Sequence, residues 1–138
     1  MTDPNCVFCK IIARELPAVI LQEDAYGMAF LDIAPFEKGH TLVIPKYHAG
    51  RLTDLPIDWL QRIMPLVQDT ARRIVSGLPC DGFNILQSNG RCASQVVPHV
   101  HFHVIPRWEG RAMVWKSGAY DTPGEMAALG DRLRALKN

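Results

Sequence analysis

The sequence predicts an α+β fold, a mostly antiparallel sheet of five strands carrying one long and one short helix. Three observations lead there. Short apolar runs are joined by turns rich in Asp, Gly and Pro; one long amphipathic stretch interrupts them; and the run His99-Val100-His101-Phe102-His103-Val104-Ile105 alternates with a strict period of two.

In chain order, Cys6–Arg14 has apolar residues at helical spacing and forms a short helix or turn that ends before Pro17. Val19–Gln22 and Met28–Leu31 read as two strands of a hairpin joined across Glu23–Gly27. Pro35 and Gly39 break regular structure over Asp32–Gly39, and Thr41–Ile44 resumes as a strand closed by Pro45. From Leu55 to Leu78, Trp59, Leu60, Ile63, Met64, Val67, Ala71 and Ile74 recur at threes and fours, which makes a long helix. Pro56 stands near its start, Gly77 near its end, and Pro65 is the point of a kink or break. Gly82–Gln87 is a fourth core strand, Ser88–Ser94 a polar turn, and the histidine run a fifth strand that stops at Pro106. Gly124–Leu136, behind Pro123, is the closing helix.

Length and composition bound the function. A chain of 138 residues makes one domain, 1–138, and its 48% hydrophobic and 21% charged residues are ordinary globular values. A formal net charge of +1 argues against a partner such as duplex nucleic acid. No stretch is apolar enough to span a membrane and Met1–Asn5 lacks the features of a leader, so a cytoplasmic protein with no membrane partner is expected. In that compartment Cys6 and Cys9 point to metal or redox chemistry rather than a disulfide, while Cys80 and Cys92 read as small, partly buried residues.

Strand alternation puts His99, His101 and His103 on one face and Val100, Phe102 and Val104 on the other. That spacing suits a metal site or a phosphate site with a nucleophile at its centre. The Cys6-x-x-Cys9 pair alone is open between zinc, redox chemistry and two buried thiols, but no βαβ unit surrounds it. A structural zinc needs two further ligands, and His48 and His99 complete a Cys, Cys, His, His set. His101 and His103 then remain for catalysis. Neutral imidazole attacks phosphorus when one ring nitrogen is unprotonated and the other is held by an acceptor, and His101, in the middle, suits that role. His103, Gln95 and Asn89 are near enough in sequence to donate to the non-bridging oxygens. His40 is read as a structural hydrogen-bonding residue.

The run His99–Ile105, with Gln95-Val96-Val97-Pro98 before it and Pro106-Arg107 after it, resembles the signature of the histidine triad superfamily of nucleotide hydrolases and transferases. Cys6–Ile12, Ala29–Pro35 and Gly39–Lys46 are also similar to segments of bacterial members, in the family's order. The resemblance implies a homodimer whose two five-stranded sheets join, and a purine nucleotide bound beside the triad strand. It implies attack of His101 on the α-phosphorus to give a nucleotidyl-histidine intermediate, with His103, Asn89 and Gln95 holding the phosphate. It assigns the ribose hydroxyls to Asp32, makes Phe8, Phe30 and Leu31 neighbours of the base, and gives Cys6, Cys9, His48 and His99 as the zinc ligands.

Two positions depart from the family pattern. Ser94 stands where Gly is common, at a backbone position that only Gly adopts cheaply. Val96 stands where the phosphoramidase branch has a Ser that assists the departing amine, which points instead to dinucleoside polyphosphates or nucleotide adducts. Trp108 and Trp115 are placed to stack on a base or to seal a dimer. Two other readings stay beside the leading one: a metallohydrolase with His99, His101 and His103 on one ion, and a zinc-stabilised nucleotide- or partner-binding module with incidental activity.

Overall fold

The structure, a computed structural model, describes residues 1–136. Its elements run α1 (Val7–Ile12), β1 (Ile20–Glu23), β2 (Gly27–Leu31), β3 (Thr41–Pro45), α2 (Ile57–Gly77), β4 (Gly82–Leu86), β5 (Phe102–Arg107) and α3 (Glu125–Arg134). The five strands form one antiparallel sheet in the order β1-β2-β3-β5-β4, the α+β architecture expected from the sequence. The excursion through α2 and β4 lets β5 enter beside β3, although more than fifty residues separate them along the chain.

The two faces of the sheet have different tasks. On one, Ala29, Leu31, Val43, Phe102 and Val104 pack with Ile63, Leu66, Val67, Ala71 and Ile74 of α2 in the larger core cluster. A Cβ on Gly27 would lie 2.3 Å from Ile63 Cδ1, so the absent side chain lets β2 meet the helix. On the other face a row of directly paired residues, Ile20, Phe30, Leu42, His103 and Leu86, crosses all five strands. The short helix α1 covers part of this row, with Phe8 and Ile11 buried against Phe30 and Leu42.

Several boundaries differ from the expectation for physical reasons. β5 begins at Phe102, not His99, because the backbone before it bonds outside the strand ladders, the His99 N–H to Val97 O and the Val100 N–H to Ala49 O, each at 2.8 Å. It also continues through Pro106 to Arg107. At Pro106 only β4 flanks the strand, since the β3 pairing ends at Thr41, and an edge-like position tolerates a residue without an N–H. The helix expected from Leu55 begins at Ile57 after a separate turn at Leu52–Asp54, and it runs through Pro65 without a break in its assignment. β4 is an edge strand rather than a core strand, with Phe83 and Ile85 exposed. Cys80 is buried but Cys92 is exposed. No helix of the described residues is long and apolar enough to cross a membrane.

Candidate functional site

Two clusters flank the start of β5. In the first, Cys6 caps the N-terminus of α1, its Sγ accepting from the Cys9 N–H at 3.5 Å. This turn points both sulfurs at the sheet, and the Asp3 N–H approaches Cys9 Sγ at 3.4 Å. His99 Nδ1 lies 3.4 Å from Cys6 Sγ and 3.7 Å from Cys9 Sγ. His48 Nδ1 lies 3.5 Å from Cys9 Sγ and 3.2 Å from His99 Nδ1. Zinc with ordinary bond lengths and tetrahedral angles sets its ligands about 3.3 Å apart for N and N and about 3.5 Å for N and S.

The protonation pattern fits the same ion. His99 Nε2 donates to Pro45 O at 2.9 Å, which leaves Nδ1 with a lone pair, and the carboxylate of Asp3 lies 3.7 Å from His48 Nε2. Two ring lone pairs and two sulfurs therefore face one point. Burial pushes the Cys6 thiol above its ordinary value and holds His99 down to about 4, so the imidazole stays neutral while the thiolate needs a cation beside it. The residues fit zinc. Such an ion would tie the N-terminal segment to the sheet.

The second cluster lies two residues further on. His101 Nδ1 donates to its near neighbour His99 O at 2.7 Å, which fixes the tautomer and leaves Nε2 unprotonated. Burial holds its pKa below the usual histidine value, so this nitrogen is free of a proton at neutral pH. Phe8 packs edge-on against the ring at 5.2 Å between centroids. His103 belongs to a relay that sequence reasoning missed. The Phe36 N–H donates to His40 Nδ1 at 3.0 Å, so His40 carries its proton on Nε2 and donates it to His103 Nδ1 at 2.9 Å. His103 is thereby left with a proton on Nε2. Burial holds His40 at about 4 and His103 at about 3, so both are neutral. One imidazole thus offers a lone pair while its neighbour, 4.8 Å away between centroids, offers a donor.

Both open into a cleft of about 530 Å³, large enough for a nucleoside monophosphate. Phe8, Phe30 and Leu42 line its apolar part, and Asp32, Ser88, Val96, His101 and His103 supply the rest, with a carboxylate oxygen of Asp32 within 4.8 Å of a His103 ring nitrogen. Asp32 accepts from the Ala34 N–H through Oδ1, and Oδ2 lies 3.7 Å from His40 Nε2.

Gln95 and Asn89 do not reach this cleft, contrary to the expectation that they hold the phosphate. The Gln95 amide gives both its donors to carbonyls, Gly50 at 2.7 Å and Val97 at 3.1 Å, while its oxygen accepts from the Gly90 N–H. No donor is left for phosphate. Asn89 Oδ1 accepts from the Leu52 N–H at 2.7 Å, and its amide faces Gln87. Its neighbour Ser88 lines the cleft instead. Sequence proximity to the triad could not tell these neighbours apart. Ser94 does adopt the left-handed conformation, at φ 71°, that its departure from Gly made costly. Trp115 packs over Arg107 and edge-on to Phe36, and Trp108 lies under Arg111. The three triad histidines do not converge on one ion: His99 faces the cysteines, His103 faces His40, and His101 bonds to backbone.

The family model for the HIT domain matches residues 13–110. The chain belongs to the HIT family. An uncharacterized HIT-like protein of Methanocaldococcus jannaschii is 50% identical over 113 residues, covering 82% of this chain and 87% of its own. A protein of Schizosaccharomyces pombe named adenosine 5'-monophosphoramidase is 42% identical over 132 residues, 94% of this chain and 96% of its own. Among solved structures, a zinc-bound histidine triad family protein of Mycobacterium smegmatis superposes with a TM-score of 0.85 at 39% identity, covering 95% of this chain and 91% of its own.

Proposed function

We propose that this HIT protein is a nucleotide hydrolase of the phosphoramidase type, acting at the α-phosphorus of a purine nucleotide conjugate through a nucleotidyl-histidine intermediate on His101. The observation that carries the reading is the pair of opposed tautomers: Nε2 of His101 unprotonated by its bond to His99 O, and Nε2 of His103 protonated by the relay from His40. The His101 lone pair forms a bond to phosphorus while the bond to the leaving nitrogen or oxygen breaks. The leaving atom takes the electron pair and a proton from solvent. The imidazolium so formed keeps its Nδ1–H on the His99 carbonyl. The His103 N–H donates to a non-bridging oxygen as charge builds there. Water then attacks phosphorus, the His–P bond breaks, a proton is lost to solvent, and the nucleoside monophosphate leaves with His101 neutral.

In this reading Asp32 accepts from the ribose hydroxyls and Phe8 and Phe30 border the base, whereas Leu31, expected beside it, alternates to the other face of the sheet and packs its side chain in the α2 core. The S. pombe relative's name favours phosphoramidates over the polyphosphates and adducts to which Val96 pointed, even though Val96, 88% exposed at the rim, offers the departing amine no hydroxyl. Zinc on Cys6, Cys9, His48 and His99 is structural: it fixes the backbone at His99 whose carbonyl orients His101, and no reacting atom touches it. The chain acts as one HIT domain over 1–138. It works in the reducing cytoplasm as a homodimer, in which the exposed edge of β4 with Phe83 and Ile85 meets its copy. The test is turnover of adenosine 5'-phosphoramidate by the wild type and by His101→Ala, with zinc content measured in both. Loss of turnover with zinc retained supports the reading. Retained turnover in the variant overturns it in favour of a mechanism without the covalent step, and an inactive wild type favours the binding module.

A further inference from the structure

A second cavity, of about 720 Å³, adjoins the nucleotide cleft and shares Ser94 and Val96 with it. It lies between the turn at Gly50–Asp54 and the turn at Gly90–Val96, and these two are braced together from below. The buried Gln95 side chain ties the Gly90 N–H to the Gly50 carbonyl, and Asn89 holds the Leu52 N–H. The residues expected on the phosphate therefore build this groove. Arg51 and Arg91 line it against a single carboxylate, Asp54. Among the described residues neither guanidinium makes an ion pair. The Arg51 guanidinium rests on the open face of Gly90, where a Cβ would come within 3.2 Å of Nη2, at a φ of +91° that in any case favours glycine.

We propose that this groove is the leaving-group subsite and that it selects conjugates whose leaving group carries an anion, a carboxylate or a phosphate. The inference rests on the nucleotidyl-histidine reading. A leaving group departs from the phosphorus opposite the attacking nitrogen and must exit past the rim; Ser94 and Val96, common to both cavities, give it a route that ends between two unpaired arginines. Val96 turns no polar group to that route, so the discriminating contacts come from Arg51 and Arg91.

The test uses three adenosine 5'-phosphoramidates that differ at the far end of a short amine: β-alaninamide, which is neutral, β-alanine, which carries a carboxylate, and phosphoethanolamine, which carries a phosphate. The readout is kcat/KM for each anionic probe relative to the neutral one, in the wild type and in the double variant Arg51→Gln/Arg91→Gln. Each exposed arginine is expected to favour an anionic probe by about fivefold, the size of one exposed charge contact. The double variant should bring the ratio near one, and added salt should lower the wild-type ratio. Which anionic probe shows the larger ratio identifies the source of the charge. A wild-type ratio of one or below, or a ratio that survives the double substitution, overturns the subsite while leaving hydrolysis of the neutral probe in place. Failure of the wild type to hydrolyse any probe or the unsubstituted phosphoramidate overturns the nucleotidyl-histidine reading as well, and the subsite with it.

Discussion

Replacing His40 with Phe removes the middle of the relay while keeping a planar ring of similar size in a site that is fully buried. Two polar groups lose their partners: the Phe36 N–H loses its acceptor and His103 Nδ1 loses its donor. At about 1–3 kcal/mol for each unsatisfied buried group, and with both sites only partly buried, the fold should lose about 2–3 kcal/mol. Catalysis should lose more than stability does. Without the His40 donor, His103 can move its proton to Nδ1 and turn a lone pair toward the phosphate oxygen, which removes a donor from the developing charge. The loss of one such donor lowers kcat by roughly a hundredfold. Urea unfolding and steady-state hydrolysis of adenosine 5'-phosphoramidate at saturating substrate measure the two effects separately. His40→Phe with kcat within threefold of the wild type would refute the tautomer argument, whatever its stability.

The same histidine predicts how stability depends on pH. Burial lowers its pKa from 6.5 to about 4, so the unfolded chain takes up the proton first as the pH falls. Its contribution is complete above pH 6.5 and is lost between 6.5 and about 4, a change of about 3 kcal/mol. His101 and His103, also held down by burial, add to the loss in the same direction, so His40→Phe should reduce the fall of denaturant midpoints across this range by His40's share without abolishing it. Cys9→Ser should lower bound zinc from near one per chain to near zero and cost several kcal/mol, measured by elemental mass spectrometry and thermal unfolding; a melting temperature indifferent to chelation would contradict the zinc assignment. Ser94→Gly should stabilise the fold by about 0.5–1 kcal/mol in denaturant titration by relieving the left-handed backbone, and a loss of stability would show that the Ser side chain contributes more than the strain costs.

What could be read from the chain itself was what depends on local periodicity and on ligand arithmetic. The alternation at 99–105 separates Val100, Phe102 and Val104, packed in the core with α2, from the histidines, and the Cys and His spacing selects four residues whose ligand atoms gather within 4.8 Å. What depends on strand order was hidden. His40 meets His103 only because β5 inserts beside β3, and β4 becomes an edge for the same reason. Direction at the turn was hidden too: Ser88 and Asn89 are neighbours, yet only a backbone trace shows that the first faces the cleft and the second the Leu52 N–H. Gln95 illustrates a further limit, since an amide near a phosphate site serves equally well as a donor to the ligand or as a brace between loops.

Covalent catalysis on the middle histidine is best tested by rapid quench of the wild type with adenosine 5'-phosphoramidate into alkaline denaturant, in which a P–N bond to imidazole survives, followed by intact-mass and peptide analysis at alkaline pH. An acid-labile gain of one adenylyl group on the peptide carrying His101, absent in His101→Ala, is the predicted result. Complete turnover with the protein mass unchanged at every quench time, or an adenylyl group on His103 instead, would contradict the account.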